Sequence, residues 1–128
     1  PHLDEAKLNA IVNDASKPPR TRSEMASELV WLKRCQAGDA IEIPCLRLGD
    51  ARVVHMPGEL FVEYQLEAQK LRPDLFVAMA AYGDYAPGYI GTEIAYSEGG
   101  YETGPQASLV SPKVEGVLMN VLERLLKK

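Results

Sequence analysis

The residues best suited to chemistry lie in two places. Met56-Pro57-Gly58-Glu59 sets a carboxylate directly after a pair of chain breakers, and the segment from Tyr82 to Val110 holds six of the ten glycines and five of the six tyrosines. That segment has neither helical nor strand periodicity. A stretch of this length inside a compact domain is either functional or disordered, and its aromatic content argues against disorder. It is read as a ligand-facing loop, with tyrosines that merely pack on the domain as the plainer alternative. Glu59 has a plain alternative too, a first-turn acid favoured by a helix dipole. Of the two histidines, His2 sits at the terminus and His55 is read as an ordinary strand residue. Cys35 and Cys45 fit no metal motif and are read as two buried small hydrophobes, with a disulfide left open.

The elements that must position these residues are marked by punctuation and period. Leu8, Ile11 and Val12 predict a helix over 4–15, ended by the double proline of Ser16 to Arg20. Thr21, with Glu24 three residues on, has the form of a capping box, and Met25, Leu29 and Leu32 carry a second helix to Gly38. Ile41, Ile43 and Cys45 alternate as an edge strand, because Pro44 cannot donate to a ladder, and Gly49-Asp50 turns it into a second strand, Ala51 to Met56. Leu60, Phe61, Tyr64, Ala68 and Leu71 mark one face of a helix that stops before Pro73. Leu75 to Ala81 then reads as a strand buried on both faces. Strand, helix and strand of these lengths make a βαβ unit, so the two strands are expected to be parallel. Ser111-Pro112 opens a last helix with Val114, Val117, Leu118, Val121, Leu122 and Leu125 inward, and Arg124, Lys127 and Lys128 at its negative end. The fold class is α/β (α+β): a small mixed sheet with an antiparallel hairpin and a βαβ unit, packed by helices, with a long Gly/Tyr-rich loop.

With 128 residues, 46% of them hydrophobic, the chain can bury a core. A net charge of -4 with acids and bases interspersed leaves no basic face, so no nucleic-acid partner is expected. Its apolar runs, such as Leu75 to Tyr82, are far shorter than the ~20 residues that span a bilayer. A chain opening on Pro1 rather than Met is expected to be a segment of a longer product.

The ordered set Met56-Pro57-Gly58-Glu59 after a strand, then a helix, a buried strand, Gly88-Tyr89-Ile90-Gly91-Thr92-Glu93 and Gly100-Tyr101-Glu102 is similar to the neutral, non-lysosomal ceramidases. It resembles the C-terminal part of their catalytic domain over about residues 41 to 126, and the spacing from Tyr89 to Tyr101 is the family's. The resemblance implies that Glu59 and Tyr89 are zinc ligands, and that Tyr101 stabilises the oxyanion as water adds to an amide carbonyl. A phenol with an ordinary pKa near ~10 needs a nearby cation to bind as phenolate, which a metal provides. The family's histidine ligands and histidine base come from an N-terminal half that has no counterpart here. The segment Gly83-Asp84-Tyr85-Ala86-Pro87 also replaces the family's asparagine-containing stretch.

Residues 1–40 are thus read from their periodicity as an N-terminal helical segment, and the resemblance implies residues 41–128 as the ceramidase-like portion of a zinc-dependent amide hydrolase. Its zinc belongs to the full-length protein, and this chain alone is expected to be folded, inactive and without a bound metal. The implied partners are the N-terminal half of the same protein, carrying the missing histidines, and a lipid amide or ceramide-like substrate. An extracytoplasmic or secreted location accompanies the family. The alternative is a non-catalytic ligand-binding or interaction domain on the same frame.

Overall fold

The computed structural model describes residues 3–127. The chain divides at Ala40/Ile41 into two compact units, each with its own apolar cluster.

The first unit is a helical hairpin, α1 (Glu5–Asn13) and α2 (Pro19–Ala37), closed over Leu8, Leu29 and Leu32. Asp4 caps α1 through the Lys7 N–H. The capping box expected at Thr21 does not form, because Pro19 already supplies a first-turn residue with a fixed φ and starts the helix earlier. Glu24 instead pairs with Arg20 one turn back, at 2.8 Å. Gly38, at φ 74, closes α2 in the left-handed conformation.

The second unit carries the fold class expected. Strands β1 (Cys45–Leu48), β2 (Ala51–His55) and β4 (Phe76–Ala80) form a sheet in the order β1-β2-β4, antiparallel then parallel. Between them run β3 (Glu59–Leu60) and α3 (Val62–Leu71), and β5 (Tyr89–Ile90), α4 (Glu93–Glu98) and α5 (Val114–Leu126) complete the order. β1 begins at Cys45 rather than Ile41, although the Pro44 carbonyl still accepts from the His55 N–H. α3 begins at Val62, since Leu60 belongs to β3 and Phe61 is the N-cap. The segment 82–110 is not wholly irregular, because it contains β5 and α4.

β4 is not buried on both faces. Val77 points into the core while Phe76, on the opposite face of the strand, is 70% exposed. The core joins Val54, Met56 and Val77 of the sheet region to Tyr64 and Ala68 of α3 and to Leu118, Leu122 and Leu126 of α5. The α5 leucines recur every four residues, and each contributes about 1.5–3 kcal/mol by leaving water. Val117, expected inward, faces solvent. Neither cysteine is buried as expected; Cys35 is exposed, Cys45 half-buried, and both are free thiols.

Ser111 does not cap α5, which starts three residues later and has no side-chain cap. Its C-terminal carbonyls are satisfied from a distance: Arg72 donates to Leu126 O at 2.6 Å and Arg47 to Leu125 O at 3.4 Å. Asp74 holds Arg72 in place at 2.7 Å, and that hydrogen bond lowers the Asp74 pKa to about 2. Among the described residues no helix is long and apolar enough to cross a membrane.

The outer edge of β4 is closed by a side chain. Gln65 of α3 accepts from the Met79 N–H at 2.6 Å and donates to Val77 O at 2.8 Å, imitating a neighbouring strand. Gln65→Ala leaves both groups to water, and Gln69 reaches only Val77 O. Urea unfolding is expected to show a loss of about 1–2 kcal/mol, with faster self-association through the opened edge; an unchanged midpoint would contradict this role.

Candidate functional site

Two loops meet beyond the carboxyl ends of β2 and β4. After β2 the Met56 N–H bonds to Ala80 O, and the chain then turns at Gly58, φ 64, to enter β3. After β4 it passes through Tyr82-Gly83-Asp84 and returns as β5. Three backbone bonds stitch the loops: Tyr82 N–H to Gly58 O at 2.9 Å, Gly83 N–H to Met56 O at 3.0 Å, and Gly58 N–H to Asp84 O at 2.7 Å.

β3 and β5 then pair in parallel with Glu59 and Tyr89 as register partners. The Glu59 N–H donates to Gly88 O at 2.8 Å and the Phe61 N–H to Ile90 O at 3.0 Å. Ile90, 1% exposed, anchors the pair in the core. Adjacent strands lie about 4.8 Å apart, so two residues from separate motifs stand side by side at the sheet edge where α/β folds present ligands. Glu59 is therefore not the first-turn acid of a helix; that place belongs to Glu63.

Aromatic rings surround the Glu59 carboxylate. The Tyr85 hydroxyl donates to its Oε2 at 3.4 Å, and Tyr85 stacks on Tyr82 with ring centroids 5.8 Å apart. Tyr101 meets Tyr89 edge to face at 6.2 Å. Hydrogen bonding to Glu59, then burial and the carboxylate's charge, raises the Tyr82 and Tyr89 phenols, while Tyr85 is raised by burial first and by Glu59 second. All three are thus neutral hydroxyl donors at physiological pH. No lysine, arginine or histidine forms an ion pair with Glu59 among the described residues.

Glu59, Tyr89 and Tyr101 are brought together; Tyr96 is not part of the group. Its hydroxyl lies 2.7 Å from Ser108 Oγ, bracing the chain where Gly88 bridges to Ser108. Thr92 and Glu93 are structural as well, since Thr92 caps α4 and the Glu93 N–H donates to Glu115 of α5. Tyr64 holds the whole segment from below, its buried hydroxyl donating to Gly91 O at 2.9 Å. Tyr82 and Tyr85 were not singled out from sequence, where nothing but their place in the tyrosine-rich segment marks them.

The donors present suit half of a metal site. Carboxylate and phenolate oxygens can both bind zinc, and among the described residues Glu59 has no cationic partner. Among the described residues, however, no three His, Cys, Asp or Glu side chains converge to hold an ion. His55 is an exposed strand residue paired with Ala80, and His2 lies outside the described residues. A separate groove of about 240 Å³, lined by Ile41, Ile43, Val121, Arg124 and Leu125, shares no residue with this cluster. No protein-family model, curated protein or solved structure matches the chain.

Proposed function

We propose that residues 41–128 are the C-terminal portion of a zinc-dependent amide hydrolase resembling the neutral ceramidases, acting on an N-acyl amide or ceramide-like substrate. The observation that carries the reading is the pairing of Glu59 with Tyr89 as neighbours on β3 and β5. These residues come from motifs thirty positions apart, and the resemblance assigns both to one metal.

Glu59 offers an anionic oxygen and Tyr89 a phenol oxygen, and the neutral phenol needs a cation beside it to bind as phenolate. Zinc, when bound, polarises the amide carbonyl and makes water more acidic. Tyr101 is placed at the rim by its contact with Tyr89, and its hydroxyl is the donor for negative charge developing on the carbonyl oxygen. Tyr85 keeps Glu59 from swinging into solvent. The remaining donors and the proton acceptor are histidines from the N-terminal half of the same protein, which makes this chain inactive by itself.

The test is hydrolysis of N-acyl amides by the full-length gene product. Chelation is expected to abolish it and added zinc to restore it. Hydrolysis insensitive to chelation would contradict the reading. Binding of an amide without any hydrolysis would favour the non-catalytic ligand-binding alternative.

A further inference from the structure

Tyr82 is the one non-glycine residue with positive φ among those described, at 66°. An L-residue with a large side chain adopts this conformation only where its surroundings force it. The three bonds that join the loops after β2 and β4 do so, and whichever residue stands at position 82 must be left-handed. Glycine or asparagine would accept that geometry with less strain. Tyrosine gains little in exchange from burial, for the side chain is 58% exposed. Neither the backbone nor the hydrophobic effect accounts for it.

The ring stacks on Tyr85, and the hydroxyl at its far end bonds to Glu59. The two are stacked with an interplanar angle of 17°, and Tyr85 in turn donates to Glu59. Tyr85 is itself 54% exposed, so the stack limits the swing of its ring. We propose that Tyr82 is a positioning residue, retained in a strained conformation because its ring holds the Tyr85 hydroxyl on Glu59 and so fixes the carboxylate before a ligand arrives. The proposal rests on the reading of Glu59 as a site residue, but it concerns contacts present in the metal-free chain.

Two variants test it. Tyr82→Asn removes the ring and suits the left-handed backbone, so the melting temperature is expected to rise by about 4 °C. In the same variant the nuclear Overhauser contact between the Tyr85 ring and the Glu59 side chain should disappear. Tyr82→Phe keeps the ring and should keep that contact, which a merely structural role for the hydroxyl would not predict. A lower melting temperature in Tyr82→Asn, or a Tyr85–Glu59 contact that survives it, would overturn the proposal. A full-length product that needs no zinc would contradict the function proposed above while leaving these contacts as evidence on Tyr82.

Discussion

Gly58→Ala is expected to destabilise the unit containing Ile41–Lys128 by about 3 kcal/mol, against about 1 kcal/mol for Gly49→Ala. Both glycines have positive φ, 64° and 56°, so the backbone strain added by a side chain is similar. The space around them is not. A Cβ at Gly49 meets nothing within 4 Å, whereas at Gly58 it would lie 2.5 Å from Gly88 O and 2.9 Å from Ile90 Cδ1. The Gly88 carbonyl cannot retreat freely, because it accepts the Glu59 N–H. Moving it breaks the first bond of the β3–β5 pair and separates Glu59 from Tyr89. Urea unfolding of the two variants measures the difference, and equal losses would show that the close approach at Gly58 does not hold the pair together. The glycine of the Pro-Gly-Glu run thus has a physical reason, a backbone crossing that admits no side chain.

Much of the sheet was legible because its signals are local. Gly49-Asp50 marks a hairpin, and Pro57-Gly58 and Pro73 bracket a helix of the length a parallel crossover needs; the observed β1-β2-β4 order follows. The β3–β5 pair was not legible. Strands of two residues show no period, and this pair depends on Gly58 letting the backbone at Gly88 approach it closely. Local signals also misled where a nearby residue overrode them, as Pro19 did for the cap expected at Thr21. The C-terminal end of α5 looked as if its own lysines and arginine would serve it, but Arg47 and Arg72 reach it across 78 and 54 positions of sequence. No periodicity encodes such contacts.

The candidate site divides in the same way. Glu59, Tyr89 and Tyr101 entered through resemblance to a family, not through any spacing that chemistry alone would single out. Tyr82 and Tyr85 were invisible because their part depends on a left-handed turn set by bonds between two loops. The ligand-facing reading of the tyrosine-rich segment marked the neighbourhood without distinguishing its members. Tyr96, in the same segment, turns away to Ser108.

The largest effect expected on function is at the register pair. Glu59→Gln keeps the size of the side chain and one acceptor oxygen while removing its charge, and Tyr89→Phe removes only the hydroxyl. Both should fold like the parent, since among the described residues Glu59 makes no ion pair and Tyr89 contributes its backbone, not its hydroxyl, to the β5 ladder. On the proposed reading each variant removes a zinc ligand, which should weaken zinc at least as much as removal of an outer-shell partner, by about 100-fold or more. The direct measurement is the zinc bound per chain by the purified full-length gene product and by these two variants, each checked for an unchanged unfolding midpoint. The account predicts about one zinc per chain in the parent, as expected of a single catalytic site, and its loss in both variants. Zinc retained by both, or a folded parent that binds none, would contradict it.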